Sequence, residues 1–276
     1  MSDRQPFSVL MCVYAKDNPE HFRQALESII DQTVKPDEIV LVMDGPVTKA
    51  IKHVVKTYEG ASFFKVIRLL ENVGHGNARR IGLENCSNNL IAIMDADDLS
   101  VPDRFERQMK CFENDKDLSI VGGNIKEFID SIDHIVGFRK VPAEDADIKK
   151  YLKKRCPFNQ MTVMFKYSDV MKAGGYIDWF CDEDYYLWIR MYECGSKFKN
   201  IPDNLVFVRV GNGMYRRRGG LKYFQSESKL QIYMLNSGII DILTYMNNIL
   251  FRFILQILVP SKIRGLIYKS FAREKC

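Results

Sequence analysis

The chain has 276 residues, 46% of them hydrophobic and 27% charged, a balance that excludes a disordered chain and suits one large domain or a domain with an appendage. A net charge of +5, without aromatic residues interleaved among Lys and Arg, argues against a nucleic-acid binder. Seven scattered cysteines with no CxxC pair read as reduced thiols of a cytosolic protein, and the start MSDRQPFSVLMCVYA shows no cleavable signal pattern.

In chain order, short apolar runs rich in Val, Ile or aromatic residues predict strands over 7–14, 38–43, 64–70 and 90–94. Helix-period stretches lie between them at 21–30, 47–58 and 76–86. Strand and helix in alternation imply crossover connections and a largely parallel sheet covered on both faces, with ligands bound beyond the carboxyl ends of the strands. The second half is less regular. Strands are expected over 118–128, 134–141, 160–165 and 205–210, and helices over 144–155 and 182–195, the last with acids in its first turn and a terminal glycine. From about residue 222 the pattern is helical and increasingly apolar, and no repeat or low-complexity linker marks a sharp boundary.

Carboxylates gather where the strand-end rule expects a ligand. The stretch IAIMDADDLSVPDRF sets Asp95, Asp97 and Asp98 directly after a buried strand. Such a cluster repels itself and loses hydration unless something offsets the charge. A D-x-D pair suits a hard divalent cation whose other ligands are substrate phosphates, while capping of the helix that begins near Pro102 is the plainer use of one of these acids. Asp44, in LVMDGP, fits a turn residue and equally a hydrogen-bond partner for a base or ribose. Gly74 and Gly76 in NVGHGNAR lack a third glycine, since Arg79 stands there, so a dinucleotide loop is discarded. Asn72, Gly74 and Arg79 can instead shape a loop near phosphate or ribose. Three consecutive arginines, Arg216, Arg217 and Arg218, suit a diphosphate, with a solvated basic turn as the equal alternative.

Taken in order, FSVLMCVYAKDNPEHFRQALESIIDQT, PDEIVLVMDGP, ENVGHGNARRIGLENC, LIAIMDADD, VGGNIKEF, CPFNQMTVMF, GGY and DEDYYLWIR resemble the landmarks of family 2 glycosyltransferases over roughly residues 7–210. The resemblance implies an α/β protein of GT-A fold, with a mostly parallel central sheet flanked by helices. It also implies inverting transfer of a sugar from a nucleotide donor, with Mn2+ or Mg2+ as cofactor. Carried over by position, Asp44 would contact the base, Asp95 with Ala96 would lie near the ribose, and Asp97, assisted by Asp98, would bind the metal. Val13 and Tyr14 at the end of the first strand, with Asn72, Gly74 and Arg79, would complete the nucleotide site. Asp184 would be the base that takes the acceptor proton, beside Glu183. The chain departs from the family's usual first loop at CVYAKDNP, a variant associated with bacterial surface-polysaccharide enzymes.

The expected reaction is transfer of glucose or galactose from a UDP-sugar to a lipid-diphosphate-linked saccharide, in O-antigen or capsule synthesis. Residues 1–221 would form the catalytic domain, with a nucleotide-sugar half to about 100 and an acceptor half from about 101. Donor choice is expected near Gly122, Gly123 and Asn124, and acceptor choice around Pro157 to Gln160. The alternatives are a sugar nucleotidyltransferase, which usually needs a Gly-rich phosphate loop that CVYAKDNPEH lacks, and a non-catalytic nucleotide-sugar binder. Residues 222–276 form a helical amphipathic extension. Asp241 and Arg252 argue against a spanning helix, while Lys262, Arg264, Lys269, Arg273 and Lys275 against Glu274 alone suit an anionic membrane surface. Peripheral attachment to the inner face of the bacterial cell membrane is thus expected. Packing on the core or in a homodimer stays open.

Overall fold

The computed structural model describes residues 4–211, 219–260 and 263–264. Its first half alternates as the periodicity requires: β1 Phe7–Val13, α1 Pro19–Ile30, β2 Glu38–Met43, α2 Lys49–Tyr58, β3 Phe64–Arg68, α3 His75–Glu84 and β4 Leu90–Met94. Strands β1, β2 and β4 are almost wholly buried, which is why they read as continuous apolar runs rather than alternating ones. Helix α1 shows how local sequence sets the boundaries. Asn18 accepts from the N–H groups of Glu20 and His21, Pro19 opens the first turn, and Phe22, Ala25, Leu26 and Ile29 form the buried stripe. Helix α3 lies directly on the sheet because Gly82 has no side chain. A Cβ there would come 2.3 Å from Leu10 Cδ1 and 2.8 Å from Val42 Cγ2.

The remaining elements are β5 Leu99–Ser100, α4 Arg104–Asn114, β6 Leu118–Ile129, β7 Ser131–Arg139, α5 Asp145–Leu152, β8 Met164–Lys166, α6 Tyr167–Lys172, α7 Glu183–Glu193 and β9 Lys197–Arg209. Two C-terminal helices follow, α8 Leu221–Asn236 and α9 Ile242–Phe253. Among the described residues the sheet runs β3-β2-β1-β4-β8-β6-β9-β5, with β7 paired to β6. The order 3-2-1-4 is parallel. Strand β8 then joins antiparallel between β4 and β6, while β6 and β9 run parallel to each other.

Two expectations shift. The stretch 160–165 is a 3-10 turn, Gln160–Thr162, before the short β8, and strand β9 starts at Lys197 rather than 205. Its early part pairs with residues 118–123 of β6 and its later part with 124–128, so a strand with mixed polar residues is held by a partner instead of by its own pattern. Short β5 and α6 had no periodic signal long enough to read. No helix among the described residues is long and apolar enough to cross a membrane. None of the described cysteines, Cys12, Cys86, Cys111, Cys156, Cys181 and Cys194, is in a disulfide.

Candidate active site

Register places the site. Val13 lies beside Met43, and Met11 beside Met94, so Asp44 and Asp95 leave the two parallel strands that flank β1, both at its carboxyl end. Val13 itself is buried in the core and offers the site its backbone, its carbonyl accepting from the Asp44 N–H at 2.8 Å. Tyr14 is exposed, and its N–H donates to Asp17 Oδ2 at 2.9 Å.

Asp44 is buried, with both carboxylate oxygens occupied. Asn72 Nδ2 donates to Oδ2 at 2.8 Å, and the Val73 N–H donates to Oδ1 at 2.7 Å. The acid therefore pins the loop that leads through Gly74, at φ 85°, into α3. Asp44 acts here as a turn residue, holding the loop before α3. Next to it Gly45 has φ 82°, and a Cβ there would lie 2.7 Å from the Asn72 nitrogen.

Arg79 is 4% exposed and joins two parts of the molecule. Its guanidinium donates to Asp95 Oδ1 at 2.9 Å and to Glu183 Oε1 at 3.2 Å. His75 Nδ1 lies 3.7 Å from the same Glu183 oxygen. Arg79 is thus less a loop residue than a buried clasp between the end of β4 and the start of α7. Burial works against its charge, but the carboxylates of Asp95 and Glu183 outweigh that and push its pKa up.

The acids after β4 divide by direction. Asp97 is exposed, Ala96 is buried, and Asp98 is 2% exposed. Asp98 Oδ1 accepts the Arg209 N–H at 2.8 Å, while Arg209 Nε donates to the Asp97 carbonyl at 3.2 Å. Burial raises the Asp98 pKa well above its usual value, and negative Asp97 and Asp95 raise it further. Asp17, from the β1–α1 loop, faces the same acids. Burial pushes it up to about 6, the Tyr14 N–H works against that, and Asp97 and Asp95 add to it.

Among the described residues no three His, Cys, Asp or Glu side chains form a ready cation cage. The donor set still fits a hard cation that takes few protein oxygens and completes its shell from a ligand's phosphates. Solvent-facing Asp97, with Asp95 and Asp17 acting on the same patch, gathers negative charge that a cation would offset.

The acidic run before α7 also divides. Asp182 stands at the N-cap but makes no capping hydrogen bond with its side chain. It is buried, and burial followed by the charges of Glu227 and Asp184 holds its pKa well up. Asp184 is half-buried, with Oδ1 accepting the Tyr185 N–H at 2.7 Å and the Cys156 thiol 3.9 Å from Oδ2. Burial raises the Asp184 pKa, while the Arg79 guanidinium, the Tyr185 N–H and Arg139 pull it back.

Gly122, Gly123 and Asn124 are buried in close packing. A Cβ on Gly122 would meet Asn200 at 2.4 Å, one on Gly123 would meet Leu205 at 2.5 Å, and buried Asn124 accepts the Val141 N–H. Their small side chains serve the close packing of β6, β9 and the turn before β8. Asn159 and Gln160 are likewise buried, bonded to the Gly123 carbonyl and the Tyr176 hydroxyl. Arg216, Arg217 and Arg218 lie outside the described residues. Sequence reading missed Asp17, signalled only by its place one residue before the α1 cap, and Arg209, which no local motif marks.

The model for glycosyl transferase family 2 matches residues 8–172. The chain belongs to glycosyl transferase family 2. A family relative, the amylovoran biosynthesis glycosyltransferase AmsE of Erwinia amylovora, is 38% identical over 83% of this chain and 85% of its own. Another, from Escherichia coli, is a UDP-Gal:alpha-D-GlcNAc-diphosphoundecaprenol beta-1,3-galactosyltransferase, 36% identical over 99% of both chains. The mannosyltransferase PcManGT of Pyrobaculum calidifontis, solved with GDP-Man and Mn2+, superposes with a TM-score of 0.65 at 15% identity, covering 98% of this chain and 76% of that one. This glycosyltransferase has the GT-A fold that its sequence led one to expect. The acid-rich edge of its sheet, where Arg79 joins Asp95 to Glu183, is the family member's candidate active site.

Proposed function

We propose that the chain transfers a hexose, galactose or glucose, from a UDP-sugar to a lipid-diphosphate-linked saccharide, with inversion, in the synthesis of a bacterial O-antigen or capsule. The observation that carries this reading is the Arg79 clasp, which sets the Asp184 helix against the strand-end carboxylates, so that donor and acceptor groups meet at one edge. Donor and acceptor class rest on the Escherichia coli relative.

In this reading Asp184 accepts the proton of the acceptor hydroxyl as its oxygen forms a bond to the anomeric carbon. The bond from that carbon to the UDP oxygen breaks on the opposite side, and UDP leaves with the electron pair. Burial of Asp184 raises its basicity, and the N-terminus of α7 with Arg79 keeps the ionised form accessible. The Asp44-pinned loop and the ends of β1 and β2 frame the nucleoside, with Asp95 and Ala96 toward the ribose. Asp97, with Asp98 bracing its loop, would hold Mn2+ or Mg2+, which neutralises charge developing on the diphosphate. Arg216, Arg217 and Arg218 are assigned to the same diphosphate. Residues 1–221 carry the reaction, and 222–276 keep the protein at the inner face of the bacterial cell membrane.

The test is transfer from UDP-galactose and UDP-glucose to a GlcNAc-diphosphate-lipid acceptor, with Mn2+ and Mg2+ compared. Activity that survives excess EDTA would remove the metal, and transfer from neither donor would remove the UDP-hexose assignment.

A further inference from the structure

Helix α9 is inverted. Along α9 and the π-helical turn Ile254–Leu258 that continues it, one polar stripe faces the protein and most large apolar residues face out, with Asn247 exposed and Leu255 buried as exceptions. Asn248, Arg252 and Gln256 are 8%, 6% and 2% exposed, whereas Leu243, Met246, Leu250, Phe251 and Leu258 are 58–72% exposed. The inward stripe is hydrogen-bonded to the protein. Asn248 Nδ2 donates to the Lys153 carbonyl at 2.9 Å and to Gln231 Oε1 at 2.8 Å. Arg252 donates to the Lys154 carbonyl at 2.9 Å and pairs with Glu227 at 3.2 Å, and Gln256 donates to the same Glu227. These bonds tie α9 to the segment after α5 and to α8, where Phe253 also packs edge-on against Phe224, while the outward apolar stripe stays largely exposed. A helix in water gains by the opposite arrangement. An apolar face turned outward over three turns needs a medium that accepts it.

We infer that this stripe is a bilayer-docking face: α9 lies in the membrane plane with Leu243, Met246, Leu250, Phe251 and Leu258 entering the acyl boundary. The choice of partner rests on the lipid-linked acceptor proposed above. Charge supports it, since the chain beyond Pro260 carries Lys262, Lys269, Arg273 and Lys275 against Glu274, besides the buried Arg264, a complement to anionic headgroups and a poor one to a second basic copy of itself. Length supports it as well, because no described helix can span, so an apolar face of this size lies flat. The docking has a direction. Glu227, which anchors α9 from α8, also acts on Asp182 at the start of α7, and the Ser226 hydroxyl donates to the Phe180 carbonyl two residues before it. The face that enters the bilayer is therefore rigidly connected to the helix that carries Asp184, so a lipid-anchored acceptor and its proton acceptor share one reference plane.

The experiment is co-sedimentation of the full-length protein with phosphatidylethanolamine–phosphatidylglycerol vesicles at low and high salt, without substrates. Wild type should remain bound in part at high salt, because the apolar contribution is not screened. Leu243→Ser/Phe251→Ser should weaken high-salt binding by about a hundredfold, from the loss of two buried apolar side chains, with UDP affinity and thermal midpoint at wild-type values. Met246→Ser/Leu250→Ser, on the same stripe, should repeat the loss. Unchanged vesicle binding in both variants would overturn the inference, as would a wild-type dimer that both variants convert to monomer while vesicle binding persists, which makes the stripe an interface between copies. Vesicle binding needs no catalysis, so a protein that docks but transfers no hexose would overturn the proposed reaction and leave the docking face standing.

Discussion

Arg79 and Glu183, 104 residues apart in the chain, meet at 3.2 Å with side chains only 5% and 12% exposed. The same guanidinium holds Asp95, so neither acid can lose it without becoming a poorly solvated charge. Removing one member of such a buried pair costs about 3–5 kcal/mol. Arg79→Ala should show that loss in equilibrium denaturation, together with loss of transfer. Arg79→Lys keeps the charge but not the fork, and should recover part of the stability and little of the activity. Wild-type stability in Arg79→Ala would mean the clasp bears no weight.

Asp184 and Asp97 should fail in different ways. Asp184→Asn keeps the acceptor for the Tyr185 N–H but cannot take a proton, so transfer should fall by about a thousandfold or more while UDP affinity holds. Asp97→Ala should abolish transfer and also remove the metal-dependent part of UDP binding. Calorimetric titration of UDP with and without Mn2+ separates the two. Full transfer by Asp184→Asn would exclude it as the base.

The pH dependence follows from the raised Asp184 pKa. The base acts ionised, so kcat/KM should rise with pH on an acid limb displaced above the usual 3.8. Because the Arg79 guanidinium pulls that pKa down, Arg79→Gln should move the limb to higher pH in whatever activity remains. Stability runs the other way. A carboxyl whose folded pKa is raised contributes stability in full below its unfolded value and loses it as pH climbs through the folded value. Asp184→Asn should flatten that decline in thermal midpoint against pH. A limb at the same pH in the Arg79 variant would contradict the coupling.

Gly45→Ala tests the Asp44 loop. The left-handed backbone at φ 82° costs a residue with a Cβ about 1–2 kcal/mol, and the new atom would strike the Asn72 backbone, displacing residues that Asp44 holds. Thermal stability and UDP affinity should both fall, while the far-UV spectrum stays unchanged. Equal UDP affinity would separate the loop from the donor site.

Much of this was legible because it is local. Strands β1 to β4 declare themselves by apolar runs, and an acid directly after such a run lies at a carboxyl edge whatever the rest of the chain does. Asp184 was legible through the resemblance at DEDYYLWIR. The partners of Arg79 were not, since nothing in NVGHGNAR specifies a carboxylate 104 residues away. The two directions of Asp97 and Asp98 depend on Arg209 arriving from β9. The small residues Gly122 and Gly123 suggested open space, yet they are small because Asn200 and Leu205 press against them. The C-terminal segment reads as amphipathic from its sequence, with Asp241, Asn248, Arg252 and Gln256 near one stripe. That Asn248 and Arg252 face inward while Asp241 is exposed was not legible, because the carbonyls of Lys153 and Lys154 that receive them belong to another element.

The bond from the Arg209 N–H to Asp98 spans 111 residues. Contacts so far apart in sequence form late, because the loop they close is long, and synthesis proceeds from the amino end. A nascent chain that has already laid down β1 to β4 thus has its Asp95–Asp98 turn still unbraced until β9 leaves the ribosome and pairs with β6. Strands β1 to β4 are made early, but the turn after β4 gains its Arg209 brace only when about three-quarters of the protein has been made.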